Sequence, residues 1–113
     1  MAAPLALRSV AAEVELTVVT MTFRTADPDP LLGVLAKYVV VSRGAPGCRN
    51  IDLCASAIGD GRYLVIEKWD SPATQRAHFD SPEMVEMAEA CRGLLDAPPA
   101  IELWDGASAH DLA

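Results

Sequence analysis

The feature that most constrains the fold is an abrupt change from strand to helix in the second half of the chain. Residues 63–69 are rich in aromatic and β-branched side chains, which suit a pleated, half-buried surface. Ser71 then supplies a helix N-cap, and Pro72 follows at the first helical position. Because Ser81 and Pro82 repeat this signature, we predict two successive short helices directly after a strand.

The first third of the chain predicts a strand followed by a longer helix. Residues 13–24 alternate between polar and apolar side chains, and both faces of this strand are partly apolar. We therefore expect both faces of the sheet to be covered, one by helices and the other by a ligand or a second subunit. Asp29 is predicted as the N-cap of a helix that begins near Pro30, and an apolar helical period that includes Tyr38 continues to Ser42.

Two more strands complete the pattern. Residues 48–56 and 62–69 flank a turn that is rich in Gly and Asp, so they predict a β-hairpin. Residues 101–104 resemble a last strand. The order is strand, helix, strand, strand, helix in two pieces, strand. It predicts an α+β fold, the split βαβ pattern of a ferredoxin-like domain with an antiparallel sheet.

The length of 113 residues and the 51% hydrophobic content predict one compact domain. We divide the chain into an N-terminal arm at 1–12, the domain at 13–105 and a tail at 106–113. The mildly apolar opening lacks a basic segment before it and is too short for a signal peptide core. No apolar stretch reaches the roughly 20 residues of a membrane helix, so we expect no membrane association and a cytoplasmic protein.

The charge and the cysteines exclude several classes of function. Nine Lys and Arg stand against 16 Asp and Glu, without a basic run, so nucleic-acid binding is not expected. Cys48, Cys54 and Cys91 form no C-x-x-C pair, and one strand would hold the first two roughly 20 Å apart. His78 and His110 lack metal-ligand spacing to them, so we expect no metal site and three buried, reduced thiols.

Several short signatures follow one another along residues 13–105. They are Ala45-Pro46-Gly47-Cys48 at a helix-to-strand corner, Glu67-x-Trp69 at a strand end, Ser71, His78 nine residues after the tryptophan, Ser81-Pro82, and Pro98-Pro99 before the last strand. Their order and spacing resemble the antibiotic biosynthesis monooxygenase domain family.

The resemblance implies a ferredoxin-like protomer that forms a homodimer, sheet to sheet, as an α+β barrel. Members of the family include cofactor-free oxygenases of quinols, anthrones and other polycyclic phenols, haem-degrading enzymes and an isomerase. The resemblance thus implies a monooxygenase that uses O2, a small aromatic substrate and no cofactor. The alternatives are a non-catalytic dimer that binds a small aromatic and an isomerase of a small carbonyl compound.

Oxygenation without a cofactor needs a substrate that reduces O2 once it is deprotonated, and therefore a base in a dry pocket. His78 is the candidate catalytic base, because an imidazole with an ordinary pKa of about 6.5 suits proton transfer near neutral pH. Its structural alternative is a helix histidine bonded to a neighbouring backbone group or to Glu67.

Four further residues are candidates for substrate binding. Trp69 is placed to stack on a planar substrate, although large aromatic residues also dominate cores and interfaces. Glu67 shares a strand face with Trp69 and needs a partner such as His78, Arg76 or a backbone donor, so an orienting role is favoured. Tyr63 and Asn50 are candidate hydrogen-bond donors to a phenolate or quinone oxygen, or simple hairpin residues.

The chain departs from the defined subfamilies at several positions. The anthrone oxygenases have an asparagine four residues before the tryptophan, where this chain has Val65, and a tyrosine in the next helix, where it has Gln75. The haem-degrading branch uses an asparagine on the first strand, where this chain offers Thr17, Val19 or Thr20. The sequence therefore favours a quinol-type monooxygenase, or a relative without a defined activity, over these two activities.

Overall fold

The computed structural model describes residues 15–108 of the chain. The elements in this range are β1 (Thr17–Arg24), α1 (Pro28–Ser42), β2 (Cys48–Ala55), β3 (Arg62–Trp69), α2 (Pro72–Phe79), α3 (Pro82–Ala90) and β4 (Ala100–Asp105). The predicted arm at 1–12 and His110 lie outside the described residues.

The four strands form one antiparallel sheet in the order β2-β3-β1-β4. The two central strands, β1 and β3, are the first and third along the chain, so each βαβ half of the fold contributes to the middle of the sheet. This arrangement confirms the predicted α+β, ferredoxin-like fold and the predicted β2–β3 hairpin.

Alternation along the central strands divides the sheet into a buried face and an open face. On β1 and β3 every second residue is buried against the helices, and these buried residues include Val19, Met21, Phe23, Val65 and Trp69. They form one core with residues of α1 and α3. The residues between them are only partly covered, so the described chain leaves the opposite face of its sheet open to solvent.

The predicted start of α1, near Pro30, is two residues later than the observed start. The helix begins at Pro28, and Asp27 is its N-cap residue, although the Asp27 side chain makes no capping hydrogen bond. The sequence has two consecutive Asp-Pro pairs, and proline is tolerated anywhere in the first helical turn, so the pattern fits either start. Asp29 lies instead within the first turn, where its carboxylate faces the positive end of the helix dipole.

Both Ser-Pro helix starts are confirmed. The Ser71 hydroxyl accepts a hydrogen bond from the Thr74 amide, and the Ser81 hydroxyl accepts one from the Met84 amide, each at 3.2 Å. In both helices the proline follows at the first helical position. These two caps turn the chain sharply after β3 and again after α2, which holds α2 close to the end of the strand that precedes it.

The prediction that all three cysteines are buried is wrong. Cys91 is buried, but Cys48 is half-buried and Cys54 is exposed on the outer strand β2. All three thiols are free, as expected from their spacing. Cys54 pairs with Leu64 of β3 and therefore lies on the open face of the sheet, which the helices do not cover. Within residues 15–108, no helix has the length and apolar character needed to cross a membrane.

Candidate active site

A cluster of buried polar and aromatic side chains lies where β3 ends and α2 begins. Glu67 and Trp69 reach it from the helix-facing side of β3, Tyr38 from α1, and His78 from α2. None of the four is more than 5% exposed. Three separate elements thus meet at one point, and we call this group the Tyr38 cluster.

Glu67 is the acceptor at the centre of the Tyr38 cluster. Its Oε2 accepts a short hydrogen bond from the Tyr38 hydroxyl, and its Oε1 accepts one from Trp69 Nε1 at 3.0 Å. The sequence predicted His78, Arg76 or a backbone donor as the partner of Glu67, and the two observed donors are different. Both carboxylate oxygens are therefore satisfied in a site that is closed to water, which offsets the free energy of burying the carboxyl group.

His78 points into the protein and is held on three sides. Its Nε2 lies 3.0 Å from the Tyr38 hydroxyl oxygen, and its Nδ1 lies 3.5 Å from Ser81 Oγ. Its ring also packs on the Trp69 indole, with 4.7 Å between the ring centroids and 31° between the planes. The side chain therefore has one orientation, with each ring nitrogen facing a different hydroxyl group.

Burial and the charge of Glu67 keep the Tyr38 hydroxyl protonated. Desolvation raises the pKa of Tyr38 far above its ordinary value, and the neighbouring Glu67 carboxylate raises this pKa further. The Ser42 hydroxyl acts in the opposite direction on the pKa of Tyr38. Ser42 Oγ is fully buried and has no hydrogen-bond partner within normal geometry. Burial, and then Glu67, also raise the pKa of the Cys48 thiol.

Two of the predicted site residues lie away from the Tyr38 cluster. Tyr63 shares the helix-facing side of β3 with Glu67, but it lies at the opposite end of the strand, opposite Phe23. Asn50 pairs with Lys68 on the open face of the sheet, and its Nδ2 donates to Asp52 Oδ2 at 3.0 Å. The structure therefore brings together His78, Glu67 and Trp69, but neither Tyr63 nor Asn50.

Two adjoining grooves border the cluster. The first, which we call the His78 groove, has a volume of about 330 Å³ and is lined by Thr74, Ala77, His78 and Ser81, among others. The second has a volume of about 340 Å³, runs between α1 and α3, and is lined by Tyr38. Val41 and Glu83 line both grooves, so the two grooves are neighbours beside the buried pair of Tyr38 and His78.

A third cavity lies apart from His78. It has a volume of about 680 Å³ between α3, the loop that follows it, and the sheet. Its lining is mostly apolar and includes Met21, Phe23, Phe79, Met84 and Ile101. We call it the apolar pocket. Its size is within the range of small-molecule sites, but no residue of the Tyr38 cluster lines it.

Tyr38 is the residue that the sequence analysis missed as a site residue. The helical period placed it on the apolar stripe of α1, and it is buried there as predicted. The available signal was its hydroxyl, since a buried tyrosine almost always finds a hydrogen-bond partner.

Among residues 15–108, no group of three His, Cys, Asp or Glu side chains is arranged to hold a metal ion.

The matched sequence decides the family. The model of the antibiotic biosynthesis monooxygenase family matches residues 17–90, a range that begins at β1 and ends with α3. The chain belongs to this family. The match includes all four residues of the Tyr38 cluster, and β4 lies outside it.

Solved structures from several organisms share the fold. The protein Rv0793 of Mycobacterium tuberculosis is 27% identical, with a TM-score of 0.71 over 79% of this chain and 92% of that one. A putative antibiotic biosynthesis monooxygenase from Caulobacter crescentus is 21% identical, with a TM-score of 0.75 over 81% of this chain and 90% of that one. SnoaB, a cofactor-independent oxygenase from Streptomyces nogalater, is 22% identical, with a TM-score of 0.69 over 80% and 91%.

A curated relative is longer. An uncharacterized protein of Synechocystis is 28% identical over 75 residues, which are 66% of this chain and 51% of that protein. The matched part of the chain thus spans about half the length of this relative.

Proposed function

We propose that the protein is a homodimeric, cofactor-independent monooxygenase that oxidises a quinol or another phenolic aromatic with O2. Membership of the antibiotic biosynthesis monooxygenase family and the similarity in fold to SnoaB support a monooxygenase. The observation that carries the proposal is a buried histidine, linked through Tyr38 to a carboxylate, on the wall of a groove. This is the arrangement that a base needs if it is to deprotonate a bound phenol.

In the proposed reaction His78 takes a proton from the substrate, and the electron pair of the broken bond stays on the substrate. Glu67 stabilises the resulting imidazolium through the Tyr38 hydroxyl. The substrate anion then transfers one electron to O2, and the superoxide formed joins the substrate radical through a new carbon–oxygen bond. The peroxide anion takes the proton back from the His78 imidazolium and becomes a hydroperoxide. The C–H bond at the same carbon and the O–O bond then break, water leaves with the distal oxygen, and the other oxygen atom of O2 stays on the substrate as a carbonyl.

The residues around His78 support this use. Trp69 is fully buried beneath the imidazole ring, so we propose that it orients His78 through the stacked pair. The His78 groove and the groove beside it provide room for one planar aromatic ring system. The substrate-binding roles of Trp69, Glu67, Tyr63 and Asn50 stay predictions from the sequence.

The proposal is tested by O2 consumption with a panel of quinols, anthrones and other phenols. We expect O2-dependent turnover with at least one of them. A general base contributes about 10²-fold to 10⁴-fold, so the His78→Ala variant should lose at least about 100-fold in kcat. The matched control is His110→Ala, which removes the other histidine of the chain and should retain full activity.

The other outcomes identify the alternatives. Turnover no faster than in buffer, or an unimpaired His78→Ala variant, would contradict the proposal. Saturable binding of an aromatic compound without turnover indicates a binding protein. Turnover of a carbonyl compound that continues under anaerobic conditions indicates an isomerase.

The open face of the sheet supports the homodimer. Val18, Leu64 and Ile66 are only partly covered there, and Trp104 on β4 is 53% exposed. An apolar surface in the centre of a sheet is typical of an interface. In light scattering we expect twice the mass of one chain. Ile66→Glu should give monomers, whereas Val40→Glu, at a 67% exposed position on α1, should not. Dimers of Ile66→Glu would contradict this interface.

We also propose that the protein acts in the cytoplasm. The three cysteines are free, and reduced thiols are the ordinary state of that compartment. Fractionation of cells that express the native sequence tests this, with recovery outside the cytoplasmic fraction as the contrary result.

A further inference from the structure

The two ring nitrogens of His78 face different hydroxyl groups, and only one of them can be the base. Nε2 faces Tyr38 at 3.0 Å, and Nδ1 faces Ser81 at 3.5 Å. In a neutral imidazole one nitrogen carries a proton and donates, while the other accepts. The hydrogen bond that each nitrogen makes therefore determines which one is free to take a proton.

The Tyr38 hydroxyl determines the role of Nε2. This hydroxyl has one proton, and it donates that proton to Glu67 Oε2. Glu67 Oε1 already accepts from Trp69 Nε1, which can only donate, so Glu67 acts as an acceptor through both oxygens. The oxygen of Tyr38 is left with lone pairs alone for His78. Nε2 must therefore carry the proton and donate it to Tyr38.

Ser81 is compatible with a free Nδ1. Its Oγ accepts the Met84 amide as the N-cap of α3, and its own proton reaches Nδ1 only across a long contact of 3.5 Å, which an incoming phenolic hydroxyl can replace. Ser81 also lines the His78 groove. Nδ1 thus faces a residue that lines the His78 groove, while Nε2 faces the buried Tyr38 hydroxyl.

We propose that Nδ1 of His78 is the proton-accepting atom, that Tyr38 and Glu67 hold the ring in this tautomer, and that a phenolic hydroxyl approaches it through the His78 groove beside Ser81. This inference rests on the proposed function and deepens it. The O–H bond of the phenol breaks, its proton moves to Nδ1, and its electron pair stays on the phenolate oxygen. Tyr38 is a positioning residue in this scheme, because it acts through His78.

The groove also selects the class of phenol. Glu83 contributes a carboxyl group to its lining, and the chain has a net charge of −7. A substrate that carries a carboxylate or a sulfonate would bring like charges together. The inferred substrate is therefore a phenol or quinol without an anionic substituent.

The tautomer can be observed directly, without any substrate. In long-range ¹H–¹⁵N NMR spectra of the ¹⁵N-histidine-labelled protein at alkaline pH, we expect a pyridine-type Nδ1 and a pyrrole-type Nε2 for His78. The His110→Gln variant assigns the two sets of signals. A pyridine-type Nε2, or two pyrrole-type nitrogens, would overturn the inference.

Two tyrosine variants test the role of Tyr38. Loss of one hydrogen bond of about 1 kcal/mol changes the tautomer ratio about fivefold, so Tyr38→Phe should show the Nδ1-protonated form at a correspondingly higher level. Tyr63→Phe removes the other tyrosine hydroxyl, at the far end of β3, and should leave the His78 signals unchanged. An unchanged ratio in Tyr38→Phe would contradict the role of Tyr38. If Tyr38→Phe does not fold, the wild-type spectrum alone still decides which nitrogen is free.

The direction of approach needs a separate pair of variants. Ala77 lines the His78 groove and Ala88 lines the apolar pocket, and both are exposed residues of short helices. Ala77→Trp should raise KM about tenfold or more for the active substrate, while Ala88→Trp should leave KM unchanged. The reverse result would place the substrate in the apolar pocket and overturn the inference.

These readouts separate the two proposals. A free Nδ1 without O2-dependent turnover would contradict the proposed function but leave the tautomer correct. Turnover that depends on His78 with a free Nε2 would support the function and overturn the inference.

Discussion

Two neighbouring residues of α1 tie this helix to the rest of the protein in opposite ways. Lys37 forms an ion pair with Glu86 of α3 at 2.8 Å, and the two side chains are 68% and 65% exposed. Tyr38 donates to Glu67 of β3 and lies beside His78 of α2, and it is only 3% exposed. Two adjacent residues of one helix thus make two polar contacts, of which the Lys37 contact is exposed to water and the Tyr38 contact is buried in the core.

The difference shows that burial, more than charge, determines what a polar contact contributes. Water competes for both partners of the Lys37–Glu86 pair, so little free energy depends on this contact. No water replaces a lost partner in the Tyr38 cluster, so each donor there depends on its acceptor. We expect the inner contact to dominate stability although it has fewer formal charges.

The largest effect is expected when the shared acceptor is removed. Glu67→Ala removes the acceptor of the Tyr38 hydroxyl and leaves Trp69 Nε1 buried without an acceptor, and we expect the free energy of unfolding to fall by about 3 kcal/mol. The exposed counterpart, Glu86→Ala, should lose less than about 1 kcal/mol. Urea denaturation of the two variants measures both values. Equal losses would contradict the comparison.

A smaller effect is expected from removing one hydroxyl group. Tyr38→Phe keeps the ring in the core but removes one donor to Glu67, and it should lower the free energy of unfolding by about 2 kcal/mol. Tyr63→Phe is the matched change at the other end of β3, and we expect it to lose no more than about 0.5 kcal/mol. If Tyr63→Phe lowers the free energy of unfolding more than Tyr38→Phe does, the Tyr38 cluster is not the main polar group of the core.

The burial of Tyr38 also predicts that the free energy of unfolding depends on pH in the alkaline range. Burial and Glu67 raise the pKa of Tyr38 in the folded chain, so above about pH 10 the folded state binds more protons than the unfolded state. The free energy of unfolding should therefore fall as the pH rises from about 10, by up to about 1.4 kcal/mol per pH unit. Below about pH 9 Tyr38 should contribute nothing to the pH dependence of the free energy of unfolding.

Denaturation of the wild type and of Tyr38→Phe between about pH 9 and pH 11 tests this slope. Burial also raises the pKa values of Cys48 and Cys91, but these thiols are present in both proteins and cancel in the difference. We expect the free energy of unfolding to fall less steeply with pH in Tyr38→Phe than in the wild type. Parallel curves would mean that Tyr38 ionises equally readily in the folded and unfolded chains.

The smallest effect is expected at the exposed ion pair of Lys37 and Glu86. A double-mutant cycle of Lys37→Ala and Glu86→Ala should give a coupling free energy of about 0.5 kcal/mol or less, and this value should fall further at high salt. A coupling as large as the effect of Tyr38→Phe would show that exposure does not separate the two contacts.

Local signals predicted most of the elements. The bounds of β3 and the starts of both short helices follow from Ser-Pro caps and a strand of β-branched and aromatic residues, all within a few positions of one another. The start of α1 was wrong because its two Asp-Pro pairs satisfy the same local rule. Where one local pattern allows two solutions, tertiary contacts decide between them.

The candidate site was predicted only in part, because its geometry depends on contacts between distant residues. Tyr38 lies 29 residues from Glu67 and 40 from His78 in sequence. The helical period predicted that Tyr38 is buried, but the angle at which α1 crosses the sheet determines which side chain its hydroxyl meets. Alternation along β3 puts Tyr63 and Glu67 on the same face of the strand. It does not indicate at which end of the strand the side chains of the helices meet that face.

The two tryptophans of the chain give the protein two optical reporters in different surroundings. Trp69 is fully buried against the His78 ring, so its fluorescence should change when the orientation of that histidine changes. Trp104 is half exposed on the open side of the sheet, where its Nε1 donates to Thr20 Oγ1 at 3.3 Å. Single-tryptophan variants would thus report on the surroundings of the candidate base and on the proposed pairing of two chains as separate signals, without an added label.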